Sequence, residues 1–325
     1  MIRAIAPDAL KAIAIFAVVY IHASIPNDAT AVIVKTFRFC VPIFIIVWAY
    51  FQERSYLRQS SWRANLPNKL LVVLLPFVVW TVIYSVIQRG LPSGGVLSYL
   101  SREWAGYGWS GQYFFLILLQ LIVLFPLLRQ IKVSQALLVS IFIAYALVFA
   151  LLNAATLPSW FVKISYRPFI YWLPYVALGI YFARHRDVCL PKTAGVVGLS
   201  IIVLEALFAW PNPGFDDDYA KPGVLIGSAL IAACVLNRAE PVGPRQSLLT
   251  RLIFLVGGST MGIFLLNPLV VRLGQACATA IGWQAPTLTA ASAVAASMGH
   301  AALVLVVCLV ATLALKRIGL GRLVG

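Results

Sequence analysis

Residues 3–24 read RAIAPDALKAIAIFAVVYIHAS, an apolar run that begins with charged residues and has a histidine near its end. On an α-helix, Asp8, Lys11 and His22 share one narrow stripe, because their spacings are sums of three and four residues. A stripe that carries charge inside a membrane helix faces protein or water rather than lipid. The run therefore predicts a membrane helix that presents polar groups to the interior of a bundle.

The two ends of this stripe are too far apart for direct contact. At 1.5 Å per residue, the rise from Asp8 to His22 is roughly 21 Å, which excludes a hydrogen bond between their side chains. We therefore interpret Asp8 and His22 as marking the two ends of one path along the helix.

The composition is that of a membrane protein. Of the 325 residues, 62% are hydrophobic and 11% are charged, whereas soluble domains are about 45–50% apolar and about 25% charged. The formal charge of +15 could indicate a nucleic-acid partner, but the basic residues lie between apolar runs and not on one exposed face. We expect an all-α polytopic membrane protein whose partner is the lipid bilayer and not nucleic acid.

Apolar runs of membrane-spanning length follow one another through the chain. Their approximate cores are residues 7–26, 33–51, 70–88, 110–128, 135–153, 168–183, 193–210, 223–237, 252–273 and 289–315. Basic residues are concentrated in alternate connecting segments, which predicts about ten transmembrane helices with both termini in the cytoplasm. No connecting segment is long enough to fold alone, so we expect residues 1–325 to form a single membrane domain.

Cysteine and histidine spacing gives no indication of a metal site. The five cysteines are scattered, without a C-x-x-C pair or a Cys/His pair at metal-ligand spacing. We expect them to be small packing residues, and we expect no metal. The catalytic motifs G-x-S-x-G and H-E-x-x-H and the Walker A motif are also absent from the sequence.

His22 and Arg38 are candidate catalytic residues. An ionisable residue within a membrane helix is a functional candidate, although a neutral histidine that bonds two helices together is the alternative for His22. A guanidinium close by disfavours imidazolium and leaves the ring able to act as a base, which is the role considered for Arg38. An arginine that reaches toward the membrane surface is its alternative. His185 lies among basic residues, and His300 has no recognisable partner in the sequence.

Basic residues crowd the segment that follows the second run. They are Arg54, Arg58, Arg63 and Lys69. Arginines clustered at a membrane surface suit phosphate groups, which guanidinium binds through two parallel hydrogen bonds. The ordinary excess of basic residues in cytoplasmic loops explains the same cluster, so both interpretations stay open.

Aromatic residues precede the fourth run, and one carboxylate lies within the seventh. Trp104, Tyr107, Trp109 and Tyr113 fit a belt at the membrane surface or a surface on which sugar rings stack. Glu205 is expected to be the one carboxylate deep inside an apolar run, as an acid/base group or as half of an ion pair. The acidic run at residues 216–218 fits a solvated turn better than a cation site.

Taken in order, these segments resemble the membrane acyltransferase-3 family, which O-acylates carbohydrates and related acceptors at the bacterial envelope. The arginine, acidic residue, basic residue and terminal histidine of that family's first helix are matched by Arg3, Asp8, Lys11 and His22. Four further segments are similar: RFCVPIFIIVWAYF at 38–51, NKLLVVLLPFVVW at 68–80, PFIYWLPYVALGIYF at 168–182 and GSTMGIFLLNPLV at 258–270.

Three features depart from the family pattern. The family often has histidine where this chain has Asn267, and a glycine near Ala49. Its paired arginines before the third helix are matched only loosely by Arg63 and Lys69. These departures concern donor binding more than the class of reaction.

The resemblance implies an O-acyltransferase, most often an O-acetyltransferase, in the bacterial inner membrane. The donor would be cytoplasmic acyl-CoA, usually acetyl-CoA, and the acceptor a hydroxyl of a lipid-linked or extracytoplasmic saccharide. His22 would be the base or nucleophile, assisted by Asp8 and Arg38. Lys11, Arg58, Arg63 and Lys69 would hold the coenzyme, and Trp109, Tyr113 and Glu205 would contact the acceptor.

Two other classes of protein fit parts of the same pattern. A transporter or flippase for a lipid-linked saccharide would also be polytopic, basic and aromatic at its outer face, but the sequence shows no convincing inverted repeat. A membrane sensor domain without turnover is the third possibility. Asn267 favours the sensor interpretation, and the intact His22 argues against it.

Overall fold

The computed structural model describes residues 5–58, 62–89, 109–155, 158, 166–208, 219, 221–238, 247–282 and 288–325, without the side chains of 62–64 and 88–89. Its α-helices are α1 Ile5–Ala23, α2 Asp28–Thr36, α3 Cys40–Arg58, α4 Trp62–Arg89, α5 Gln112–Leu128, α6 Gln135–Ala154, α7 Leu173–Arg184, α8 Lys192–Leu207, α9 Pro222–Val235, α10 Leu248–Gly257, α11 Thr260–Ala280 and α12 Ala290–Arg317. Short 3₁₀ turns cover Phe37–Phe39, Phe169–Trp172 and Gly321–Leu323. The described ranges contain no strand, which confirms the all-α class for them.

Within those ranges, six helical segments are long and apolar enough to cross a membrane. They are α1, the continuous segment Asp28–Arg58, the part of α4 at Asn65–Ile87, α6, α11 and α12. Three shorter helices, α5, α9 and α10, are apolar as well. The chain is therefore an integral membrane protein, while the number of ten spans and the cytoplasmic position of the termini stay predictions.

Two of the apolar runs differ from the continuous helices expected. The run at 33–51 belongs to a longer helical segment that begins with α2. The Asn27 side chain caps the start of α2 by accepting the Ala29 N–H at 3.0 Å, and the 3₁₀ turn Phe37–Phe39 separates α2 from α3. The run at 252–273 is divided between α10 and α11. Ser259 occupies the N-cap position of α11, although its side chain makes no capping hydrogen bond.

Helix α1 lies inside the bundle, because it packs against α3, α10, α11 and α12. The stripe predicted on α1 is buried along most of its length, with Asp8 3% and Ile15 0% exposed. Close packing elsewhere depends on small residues. At Gly179 of α7 a β-carbon would lie 2.6 Å from Cβ of Ala49 in α3, so the close contact between α3 and α7 requires a glycine at position 179.

Small residues also set the contact between α11 and α12. A β-carbon at Gly262 would lie 2.5 Å from Oγ1 of Thr312, so Gly262 allows the two helices to approach closely. The cysteines are all free, and Cys40, Cys234 and Cys308 are buried as packing residues, whereas Cys189 and Cys277 are exposed.

A fully buried carboxylate, Glu53 of α3, ties three helices together. It accepts hydrogen bonds from Nε of Arg129 at 3.0 Å and from Nε of Arg184 at 2.9 Å. Arg129 follows α5 and Arg184 ends α7, so the two ion pairs join α3, α5 and α7 at one end of the bundle. The expectation that Glu205 is the one deep carboxylate is therefore wrong.

Replacing Glu53 with glutamine should destabilise the fold, because two arginines lose a buried counter-charge. Breaking a buried ion pair by removing one partner costs about 3 kcal/mol or more, and the partial exposure of both arginines places the expected loss near that lower value. The measurement is the midpoint of thermal unfolding in detergent. Asp187→Asn, which changes an exposed carboxylate, is the control. Equal midpoints for the two variants would contradict the structural role of Glu53.

Candidate functional site

Two cavities follow one another along the polar stripe of α1. We name them by their ionisable residues: the His22 cavity, of about 410 Å³, also contains Arg38, and the Lys11 cavity measures about 220 Å³. Helices α1, α3, α5 and α11 contribute side chains to both cavities at successive turns. The stripe predicted on α1 thus has one cavity near each end.

Arg38 is fixed in the His22 cavity by a buried tyrosine from a distant loop. Its Nη1 donates to Oη of Tyr219 at 2.8 Å, and its guanidinium lies over the same ring, 5.2 Å from the centroid. Tyr113 also donates its hydroxyl to Oη of Tyr219 at 2.8 Å. Burial raises the pKa of Tyr219 to about 12 against the opposing effect of Arg38, so Tyr219 is a neutral phenol at pH 7.

Aromatic rings form one wall of the His22 cavity. The Tyr166 ring lies 4.7 Å from that of Tyr113 and 5.3 Å from that of Tyr219, measured between centroids. Trp109 is buried and stacks on Tyr84 at 4.9 Å. Trp109 and Tyr113 therefore line the cavity, and they do not form a belt that faces lipid headgroups. Trp104 and Tyr107 lie outside the described residues.

Helix α12 holds the end of α1 immediately after His22. Nδ1 of His300 donates to the carbonyl oxygen of Ala23 at 2.8 Å, and Oγ of Ser297 accepts the N–H of Ile25 at 3.0 Å. The last carbonyls of a helix lack partners within the helix, so a donor from outside fixes them. The expectation that His300 has no partner is therefore wrong.

Among the described residues, Lys11 is the one basic residue in the lining of the Lys11 cavity, and two further lysines contact residues at or next to it. Nζ of Lys11 pairs with Oδ1 of Asp8 at 2.6 Å. Nζ of Lys69 donates to Oε1 of Gln52 at 2.6 Å, and Gln52 lines the cavity. Lys316 of α12, which the sequence analysis did not select, donates to the carbonyl oxygen of Gly258 at 3.1 Å, between α10 and α11.

Asp8 belongs to the Lys11 end and not to the His22 cavity. It lies against Gly257, where a β-carbon would stand 2.8 Å from Cβ of Asp8. Because roughly 21 Å of helix separates Asp8 from His22, the catalytic role expected for Asp8 beside His22 finds no contact to support it. Its observed partner is Lys11.

The remaining predicted residues lie in three different places. Arg58 is exposed in the last turn of α3, away from the residues that line the two cavities. Glu205 of α8 packs against Gly223 of α9 and lines neither cavity, which places it away from the acceptor position expected for it. Arg3, the side chain of Arg63 and the acidic run at residues 216–218 lie outside the described residues.

Asn267 stands where the family often has histidine. Its side chain makes a hydrogen bond to the α11 backbone in place of one that Pro268 cannot make. Pro268 has no N–H to donate to the carbonyl of Phe264 four residues earlier. Nδ2 of Asn267 donates to that carbonyl at 2.7 Å instead. Asn267 is fully buried and lines neither cavity, so in this chain its position supports the backbone of α11.

The hydroxyl of Tyr84 in α4 bridges a pair of backbone groups of α11. It donates to the carbonyl oxygen of Leu265 at 2.6 Å and accepts the N–H of Leu269 at 3.0 Å. The hydroxyl thus stands between two backbone groups that bond each other directly in a regular helix. Asn267 and Tyr84 together hold the α11 backbone on both sides of Pro268.

Several cavity residues had no signal in the sequence. Gln52, Tyr166, Tyr219 and Phe264 come from separate parts of the chain, and only the packing of the helices brings them to the stripe on α1. The polar groups of the His22 cavity can take part in a reaction of a bound hydroxyl. An imidazole can accept the proton of a bound hydroxyl, and the adjacent guanidinium can stabilise negative charge that develops on an oxygen.

Comparison with known proteins identifies the family. The sequence model of an acyltransferase domain, that of the acyltransferase-3 family, matches residues 5–316. Searches of curated proteins and of solved structures give no significant match. The match runs from the start of α1 to the end of α12 and includes both cavities. The chain therefore belongs to the acyltransferase-3 family and is a membrane acyltransferase.

Proposed function

We propose that the protein is a membrane O-acyltransferase that moves an acyl group, most often acetyl, from cytoplasmic acyl-CoA to a hydroxyl of an envelope saccharide. One observation carries this proposal. The polar stripe of α1 has at one end a mainly apolar cavity that contains the ammonium group of Lys11, and at the other end a cavity with the imidazole of His22 and the guanidinium of Arg38. Two substrates of different chemistry, one anionic and one rich in hydroxyls, fit these two ends.

The Lys11 cavity suits the donor. The ammonium groups of Lys11 and Lys69 stand where they can bind phosphate oxygens. Behind them the cavity is lined mainly by aromatic and aliphatic side chains, among them Phe44 and Trp48, which suit a long, uncharged arm. Acyl-CoA bound here would supply an acyl group activated as a thioester. With the N-terminus in the cytoplasm, this end faces the compartment that contains the donor.

The His22 cavity suits a saccharide acceptor. Flat aromatic surfaces from Tyr113, Tyr166 and Trp109 border it, and sugar rings stack on such surfaces. Arg38 and the hydroxyl of Tyr219 provide polar contacts for sugar oxygens. An acceptor bound here brings one of its hydroxyl groups next to His22.

Two routes of acyl transfer are open to His22. As a general base, its imidazole nitrogen takes the hydroxyl proton while the hydroxyl oxygen attacks the acyl carbonyl carbon, and the imidazolium returns the proton to the departing sulfur. As a nucleophile, the nitrogen attacks the acyl carbonyl carbon, and the C–S bond breaks to release the coenzyme thiolate. The acceptor hydroxyl oxygen then attacks the acyl-imidazole, the C–N bond breaks to restore His22, and the hydroxyl proton goes to the thiolate. In both routes the products are an ester and a thiol. Arg38 is placed to stabilise the negative charge on the carbonyl oxygen.

A transporter of a lipid-linked saccharide requires a continuous path for a large headgroup. In the part of the chain that the structure describes, the two cavities are separate and Phe264 stands at their border. That arrangement favours transfer of a small group over passage of a whole saccharide. The imidazole and guanidinium that share one cavity likewise favour an enzyme over a sensor domain.

Replacing His22 with glutamine should abolish acyl transfer, because a general base or nucleophile contributes about 10²–10⁴-fold or more. The measurement is mass spectrometry of envelope saccharide from cells that lack the gene and cells that express wild type or variant, with the acyl mass difference as readout. Membrane yield of each variant is measured in parallel.

His185→Gln is the matched control, since His185 stacks on Tyr181 at the end of α7 and lines neither cavity. It should retain full acylation. Normal acylation by a well-expressed His22 variant would contradict the catalytic role of His22, and absence of a mass difference with wild type would contradict the proposed function itself.

Replacing Lys69 with alanine should raise KM for acyl-CoA roughly tenfold, because a hydrogen bond to a charged group is worth about 1.5–3 kcal/mol. The effect on kcat should be small, since phosphate binding is shared by ground and transition states. Lys35→Ala, at an exposed lysine of α2, is the control. A fall in kcat at unchanged KM would show that Lys69 does not bind the donor.

A further inference from the structure

Phe264 lies between the two cavities. Among the residues described, it alone borders both the His22 cavity and the Lys11 cavity. On α1, Lys11 lines one cavity, Val18 and His22 line the other, and the intervening Ile15 is fully buried. The middle of the stripe is therefore closed and apolar, and the Phe264 ring forms the border on the side of α11.

The Phe264 ring is held by close neighbours. Gly111 has a φ of +96°, and a β-carbon there would lie 2.6 Å from Cζ of Phe264, so the ring rests directly on a glycine backbone. Three further rings surround it, with centroids 5.5 Å away for Phe114, 6.0 Å for Phe115 and 6.3 Å for Trp109. Any group larger than the free space beside the ring must displace it against these neighbours.

The backbone that carries this ring is also fixed. The carbonyl of Phe264 accepts the hydrogen bond from Nδ2 of Asn267, and Tyr84 bridges the next turn of α11. Opening a path between the cavities by moving the helix would break these buried hydrogen bonds. Rotation of the Phe264 side chain breaks none of them, so it is the cheaper movement.

We infer that Phe264 determines which acyl groups this enzyme transfers, because the acyl end of the donor must pass its ring on the way to His22. The inference rests on the proposed function, in which the donor binds at Lys11. The rise from Lys11 to His22 is roughly 16 Å along α1, so the acyl group has to leave the first cavity to reach the imidazole. A two-carbon acyl group needs less displacement of the ring than a four-carbon one.

The test compares acetyl-CoA, propionyl-CoA and butyryl-CoA as donors to envelope polysaccharide purified from cells that lack the gene. The readout is the ratio of kcat/KM for butyryl transfer to that for acetyl transfer, measured on one membrane preparation, so that protein yield cancels. Because one methylene is worth about 10–200-fold at a tight apolar contact, Phe264→Ala should raise this ratio at least tenfold. Phe264→Trp should lower acetyl transfer itself.

Phe142→Ala is the matched control, because Phe142 is a half-buried phenylalanine of α6 that lines neither cavity. It should leave the ratio unchanged. Phe264→Leu, which keeps an apolar side chain in the core, should raise the ratio to an intermediate value and serves where the alanine variant does not accumulate.

Each outcome has a distinct meaning. If Phe264→Ala and Phe264→Leu give the same ratio as wild type, the role of Phe264 is overturned. Acetyl transfer by wild type in the same experiment would still support the proposed function. A wild-type preparation that transfers none of the three acyl groups contradicts the proposed function, and with it the role of Phe264. An equal rise in Phe142→Ala would show that loss of any large apolar side chain from the bundle changes the ratio, which overturns the specific role of Phe264.

Discussion

The ion pair between Asp8 and Lys11 is the constraint on which the rest of the bundle depends, because charges within a membrane helix are tolerated only where protein or water surrounds them. Burial of this pair and of His22 on one helix forces α1 inside, where α3, α10, α11 and α12 enclose it. Gly257 leaves room for Asp8 at one end. At the other end, His300 and Ser297 secure the backbone that follows His22.

The same constraint explains why the polar groups lie at two ends and the middle is closed. Ionisable residues occur where a cavity or an ion pair compensates them, and between them α1 presents the fully buried Ile15. Under the function proposed above, an apolar border of this kind would keep water away from the region between the acyl donor and its acceptor, which would protect the donor from hydrolysis.

The sequence was informative where the physics is local. Periodicity placed Asp8, Lys11 and His22 on one stripe, and hydropathy located nearly every helix. The sequence could not reveal Tyr219 or Phe264 as cavity residues, because those contacts arise when distant segments pack together. Glu53 was not predicted to be buried because it lies among basic residues in the sequence. Its two arginine partners come from other helices, so the sequence around Glu53 does not indicate them. The role of Asn267, in contrast, follows from Pro268 beside it and was open to local reasoning.

The central claim is that an acyl group travels from the Lys11 end to the His22 end of this bundle. Sealed membrane vesicles of defined orientation test it, with radiolabelled acetyl-CoA added on one face and unacylated saccharide present on the other. The account predicts labelled saccharide only when acetyl-CoA is supplied at the face that exposes Arg58 and the Lys11 end. Labelling that requires donor and acceptor on the same face, or that is independent of vesicle orientation, would contradict it.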